Sequence, residues 1–195
     1  MSRSDPKGKL PHPWPVISSK VELTTRIFNL RTDKARNPRT GQLHPFHILE
    51  SPDWVNVIAL TRSEEIVLIR QYRIGTGEVT LEIPGGLIEP GDTPAGAALR
   101  ELKEETGFIP GPAAPPPRRI GSVKPNPAFL DNTCHTFLVE DVVPGGLQEM
   151  DPAEDITVEL VPVPDLPGLV AGGRIDHGLV LNALYWWGLD RNGHP

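Results

Sequence analysis

The sequence predicts an α/β domain, with helices packed on a mixed sheet and a small β-rich segment ahead of it. Three observations carry that prediction. Apolar, β-branched runs bounded by turn residues lie both before and after a well-marked helix between Pro94 and Thr106. A second helical segment, Val180 to Leu189, closes the chain and is rich in large apolar residues such as Leu181, Leu184, Trp186 and Trp187. No internal repeat interrupts this order, which belongs to helices layered on a sheet.

In chain order, residues 1 to about 18 read as a polar, proline-rich lead. Lys20 to Asn29 reads as a strand, Asn37-Pro38-Arg39-Thr40-Gly41 as a turn, and His44 to Leu49 as another strand. Together they form an N-terminal β segment over residues 1–50, followed by the main domain over 51–190 and a short tail, 191–195. Trp54 to Leu60 reads as a buried strand, paired with Glu65 to Arg73 in a hairpin around Arg62-Ser63-Glu64. Val79 to Ile83 leads into a Pro84-Gly85-Gly86 turn. The helix then starts behind Asp92 or Thr93 as cap, takes Pro94 in its first turn and stops at Gly107. Ala98 and Leu102 give it an apolar stripe. Pro110 to Pro117 is an extended connector. Cys134 to Val143 and Ile156 to Val163 read as strands on either side of an acidic loop, Gly145 to Asp155.

Composition narrows the function classes. The chain has 195 residues, enough for one domain with a sizeable core and a small appendage. A net charge of −6 argues against a nucleic-acid scaffold, which carries a basic face. No apolar run approaches membrane-span length, and Met1 to Leu10 lacks the apolar stretch of a secretory signal. The one cysteine, Cys134, leaves no internal disulfide and suits a reducing cytoplasm. It reads as a small hydrophobe in a strand. The histidines show no zinc spacing. Trp54, Trp186 and Trp187 read as core, whereas Trp14 is free to meet a partner subunit or an adenine.

The chemistry concentrates in Gly86-Leu87-Ile88-Glu89-Pro90-Gly91-Asp92 and in Arg100-Glu101-Leu102-Lys103-Glu104-Glu105-Thr106-Gly107-Phe108. Glu101 and Glu105 are four apart and share a helix face, with Glu104 beside them. Like charges so spaced repel. A divalent cation reverses that penalty, because hard ions take several oxygen ligands, and such an ion points to phosphate chemistry.

The pattern glycine, five residues, acid, seven residues, Arg-Glu-aliphatic-x-Glu-Glu-x-Gly-apolar resembles the signature box of the Nudix hydrolases. The resemblance implies an α/β/α sandwich and a magnesium-dependent enzyme that cleaves nucleoside diphosphates linked to another group. Asp92 stands where the family usually has Glu, at a helix-capping position. By the resemblance, Glu101 and Glu105 ligate metal, and Glu104 is a further ligand or the base that activates water. The backbone carbonyl of Gly85 is a candidate ligand beside the box glycine, Gly86. Arg100 fixes the helix by pairing with a carboxylate, for which Glu82 is the expected partner. Manganese is an alternative to magnesium, since both take oxygen ligands.

A narrower resemblance lies in Trp54-Val55-Asn56-Val57, Ile69-Arg70-Gln71-Tyr72-Arg73, Leu81-Glu82-Ile83-Pro84-Gly85-Gly86 and Pro125-Asn126-Pro127. These are similar to the ADP-ribose and nucleotide-sugar branch, where the arginine matching Arg73 binds substrate phosphate, as a guanidinium fork suits phosphate oxygens. Gly85 departs from the alanine common in that branch. The branch also places a metal-binding or base glutamate before a late strand, which Glu154 matches. Pro152 occupies a position that is a catalytic glutamate in some relatives, leaving Glu104, Glu149 and Asp151 as candidate bases. A mobile polar loop is the competing reading of that segment. The branch implies hydrolysis of ADP-ribose or a related nucleoside diphosphate sugar to a nucleoside monophosphate and a sugar phosphate. It also implies a homodimer joined through the N-terminal β segment. The alternatives are a Nudix enzyme for oxidised triphosphates, dinucleoside polyphosphates or capped RNA, and a non-catalytic nucleotide-sensing module.

Overall fold

The computed structural model describes residues 11–152 and 154–193. The lead Met1 to Leu10 and the last two residues of the 191–195 tail lie outside them. The chain forms two compact units, one running to Ser51 and including Asn126–Asp131, the other made of Pro52–Pro125 and the chain from Asn132 onward.

The first unit is a three-stranded antiparallel sheet, β1 (Val16–Thr24), β2 (Asn29–Arg36) and β3 (Leu43–Glu50), with β2 in the middle. The Thr25 hydroxyl accepts the Phe28 amide and donates to the Phe28 carbonyl, closing the first turn. Asn37 Oδ1 accepts the amides of Arg39 and Thr40, and Gly41 supplies a φ of 75° in the second. The sequence expectation of one strand over Lys20 to Asn29 is corrected here, because Thr25 and Phe28 turn the chain inside that range and β2 follows. β2 reads as polar sequence (Asn29-Leu30-Arg31-Thr32-Asp33-Lys34) because most of it lacks a fully buried face, so no strict alternation marks it. β1 also starts earlier than expected, at Val16, and is exposed throughout. Trp14 packs on β3, edge-on to Phe46 at 5.3 Å and beside His44 at 5.7 Å.

In the second unit β4 (Trp54–Ala59), β5 (Glu65–Arg73), β6 (Glu78–Glu82) and β7 (Gly85–Leu87) lead to helix α1 (Pro94–Thr106). Then come β8 (Phe108–Pro110), β9 (Arg118–Val123), β10 (Cys134–Val139), β11 (Val142–Pro144) and β12 (Ile156–Pro162). A short α2 (Leu166–Ala171) and α3 (Gly178–Arg191) finish the chain. One sheet has the order β7-β4-β10-β9 and is mixed, β4 and β10 being parallel. The other is β12-β5-β6, and β8 pairs with β11 in a ribbon.

The alternation along β4 explains the layers. Val55, Val57 and Ala59 pack with Ala97, Ala98 and Leu102 of α1. Ile58, from the other face, packs with Val180, Ala183 and Trp187 of α3. Ile66 and Leu68 of β5 join the α3 side and Val67 the α1 side, so both sheets contribute to both cores. This is the expected helix–sheet–helix arrangement on a mixed sheet. Cys134 is buried in β10, and burial pushes its thiol up to about 12, so it acts as a small hydrophobe.

Two local expectations are corrected, and a strand that the sequence does not announce is added. β4 and β5 do not form a hairpin. They share only the bridge Leu60 to Ile66 and then diverge, β4 to β10 and β7, β5 to β12 and β6. Each strand is buried on both faces, so each pairs centrally in its own sheet. The strand expected over Cys134 to Val143 breaks at Asp141, whose φ is 55°. Strand β9 emerges directly after the proline connector, where no apolar run announces it.

Candidate active site

The Pro84-Gly85-Gly86 turn lies against β4, with Asn56 opposite Gly85 and Val55 opposite Gly86. A Cβ on Gly85 would stand 2.4 Å from the Val55 carbonyl oxygen and 2.9 Å from Asn56 Cα, so this approach of backbone to backbone requires glycine. A Cβ on Gly86 would stand 2.5 to 2.8 Å from the Glu101 carboxylate atoms. The two glycines thus leave room for the carboxylates of α1 to reach the turn.

Helix α1 is set in place at both ends. Thr93 is the cap, its hydroxyl accepting the Gly96 amide at 3.0 Å. Gly107 stops the helix at φ 71°, its amide donating to the Lys103 carbonyl. Asp92, one of the two expected caps, is instead a partner of Arg100.

Glu101 and Glu105 point inward, 9% and 3% exposed. Glu105 Oε2 accepts the Gly85 amide at 2.8 Å. Burial pushes Glu105 up to about 8, with the negative charges of Glu101 and Glu154 adding to it and the Gly85 amide opposing. Burial likewise pushes Glu101 up to about 7, against the pull of Arg100. Glu104 is half-buried.

Arg100 donates to Asp92, to Glu101 Oε1 at 2.9 Å, to Glu104 Oε2 at 3.0 Å and to the Leu87 carbonyl at 2.9 Å. Burial opposes its charge, but Glu101, Glu104 and Asp92 hold it above the ordinary arginine range. It fastens the helix to the glycine loop, and its partner is not Glu82, which corrects the sequence expectation. Glu82, 3% exposed, takes Arg73 instead, through Nε to Oε1 and Nη2 to Oε2, both at 2.8 Å. The register explains the swap. β5 pairs with β6 so that Ile69 faces Glu82 and Gln71 faces Thr80, and Arg73 reaches back along that face. Burial would raise Glu82, but Arg73 and the Thr80 hydroxyl outweigh it and keep the carboxylate below its ordinary range. The fork uses two of five N–H groups, and the Arg73 side chain is 42% exposed, so donors remain for an anion.

The acidic loop approaches the same place. The charge of Glu154 is felt by Glu101, Glu105 and Arg73. Its carboxylate accepts the Asp151 amide at 3.0 Å. Glu149, a candidate base, is paired with Lys103 at 2.7 Å on the exposed side. One residue escaped the sequence reading. Gln148 Nε2 donates to the carbonyls of Glu105 and Ile156, tying loop, helix and strand together. A lone amide in an acidic stretch carries no spacing signal.

The donor set fits a hard divalent cation: carboxylate oxygens, a glycine cradle that a Cβ would fill, and buried acids that a cation would relieve of their protons. Among the described residues no three acidic, His or Cys side chains stand as a ready-made cluster. Arg100 bridges Glu101 and Glu104, the Gly85 amide holds Glu105 and the Asp151 amide holds Glu154.

A mixed-sheet sandwich here presents carboxylates from one helix to a glycine turn. The NUDIX domain model matches residues 51–184, and the chain belongs to this family. It is 32% identical over 160 residues to the "ADP-ribose pyrophosphatase" of Bacillus subtilis (strain 168), covering 82% of this chain and 84% of that one. It is 33% identical over 149 residues to the "Methanol dehydrogenase activator" of Bacillus methanolicus, covering 74% and 75%. Its fold matches a crystal structure of an ADP compounds hydrolase with a TM-score of 0.80, covering 96% of this chain and 100% of that chain at 21% identity. Enzymes of this family generally work with a divalent metal ion. Among the described residues no helix is long and apolar enough to cross a membrane.

Proposed function

We propose that the protein is a magnesium-dependent pyrophosphatase that hydrolyses the diphosphate of ADP-ribose or a related nucleoside diphosphate sugar. The observation that carries the reading is the pair Glu101 and Glu105, buried on one helix against Gly85 and Gly86, with the Arg73 fork set close enough to feel Glu105. The curated relatives named for ADP-ribose hydrolysis support the substrate class.

The divalent ion, magnesium or manganese, supplies polarisation of the phosphoryl oxygens and a lowered pKa for the attacking water. Glu101 and Glu105 would hold it, with Glu104, Glu154 and the Gly85 carbonyl as further oxygen donors. The spare N–H groups of Arg73 bind a phosphate, and Glu82 keeps that guanidinium aimed. Water attacks one phosphorus, the bridging P–O bond breaks, and the leaving phosphate keeps the bridging oxygen. Glu104 or a carboxylate of the 145–155 loop takes the proton of the water. The products are a nucleoside monophosphate and a sugar phosphate.

The working unit is a homodimer. Val16, Val21 and Phe46 are exposed on one face of the first unit's sheet and Leu23 and Leu43 on the other, apolar area that a second copy would cover. The enzyme is cytoplasmic, in keeping with its one buried, unpaired thiol.

Phosphate release after added phosphatase, across ADP-ribose, ADP-glucose, UDP-glucose, GDP-mannose, diadenosine polyphosphates and 8-oxo-dGTP in magnesium, tests the reading. Preference for ADP-ribose or one nucleotide sugar supports it. Preference for a triphosphate or polyphosphate overturns the substrate class, and tight binding without turnover overturns hydrolysis.

A further inference from the structure

We propose that Gln148 is a positioning residue that pins the acidic loop to the catalytic helix and so sets where Glu154 stands relative to Glu101 and Glu105. This rests on the hydrolase reading above, in which Glu154 serves the reaction.

The argument begins with the amide. Gln148 faces two carbonyls, of Glu105 at the end of α1 and of Ile156 at the start of β12. Carbonyl oxygens only accept, so only the NH2 side of the amide can face both. One group therefore joins the helix carrying the carboxylates to the strand that follows the loop. Ile156 lies opposite Gln71 of β5, and Arg73 is two residues further along that strand. The pin thus links all three parts of the site.

The neighbouring backbone follows the same track. Gly145 donates to the Gly107 carbonyl at 2.7 Å and Glu149 to the Glu104 carbonyl at 2.9 Å. A Cβ on Gly107 would stand 2.6 Å from the Gly146 carbonyl oxygen, so the loop lies directly against the helix stop. Yet the side chains flanking Gln148 give the loop little else to hold it. Leu147 is 87% exposed and Glu149 has only its exposed pair with Lys103. Gln148 is the half-buried exception, and its amide meets one of the end carbonyls of α1, which have no partner within the helix.

The test uses Gln148→Glu, which keeps shape but cannot donate when ionised, and Gln148→Met, which keeps length without polarity. Lys103→Ala serves as a control on the same loop. Hydrogen exchange of the 145–155 amides is measured beside kcat and KM for ADP-ribose. In Gln148→Glu, exchange of that segment should speed up at least roughly tenfold, as expected for losing two hydrogen bonds. In the same variant kcat should fall roughly ten- to hundredfold, with KM changing less than about threefold. Gln148→Met should move both readouts the same way by less. Lys103→Ala should leave both within about twofold. Wild-type exchange and kcat in Gln148→Glu would overturn the proposal. So would loss of protection across β4 and α1 in both variants, which would make Gln148 a general fold element. If the wild type fails to hydrolyse ADP-ribose, the hydrolase reading falls, while the exchange measurement still decides whether the pin exists.

Discussion

Glu105 shows how much one side chain carries. It is buried, bonded to the Gly85 amide and held up to about 8 by its surroundings. Glu105→Gln keeps the shape and an acceptor oxygen for that amide but removes the charge. It should lower kcat by on the order of a thousandfold in magnesium, with circular dichroism and Tm essentially intact. Gly85 gives the opposite case, a residue with no side chain whose replacement harms the fold. Gly85→Ala forces a methyl into the Val55 carbonyl, and denaturant unfolding should show a loss of about 1–3 kcal/mol. The crowding of the three glutamates was legible from spacing, because like charges on one helix turn need a reason; that only Glu101 and Glu105 are buried was not. The partner of Arg100 was not. Asp92 is eight residues away on the loop, and only folding shows that the glycine turn brings Leu87 and Asp92 under the guanidinium while the β5–β6 register hands Glu82 to Arg73.

At the scale of elements, α1 couples its stability to protons. Glu101 and Glu105 are held to about 7 and about 8, above the ordinary 4.5, so between these values the folded state binds more protons than the unfolded one. Their contribution is fully present below pH 4.5 and is lost as pH rises through about 7 and then about 8. In chelator, Tm should therefore decline across that interval, and the double variant Glu101→Gln, Glu105→Gln should flatten the decline. Added divalent cation should flatten it too, since it favours the ionised form. The helix itself was readable, because Thr93, Pro94 and Gly107 are local signals, although the cap stood open between Asp92 and Thr93. β2 and β9 were not, because one lies in a sheet largely open to solvent and the other begins directly after prolines.

For the whole molecule, the first unit is mostly an exposed sheet, with Ala35 buried and apolar side chains left facing outward. Light scattering at micromolar concentration should give about twice 21.3 kDa, and a mass near 21.3 kDa would remove the homodimer from the proposal. The sandwich was legible from the order of strands and helices. The division of strands between two sheets was not, since adjacent strands in sequence usually pair and here Leu60 and Ile66 part company after a single bridge.

That parting has a consequence for how the chain is made. β4 finds its central partner in β10, Trp54 lying beside Cys134, across a long stretch that includes the whole signature box. Such distant parallel pairing closes slowly, because the loop entropy is spent before the contact returns anything. Growing from the ribosome, the nascent protein carries its capped helix early, but the sheet on which that helix must rest is incomplete until β10 emerges. The enzyme's chemistry is thus encoded in the middle of the message and assembled only near its end.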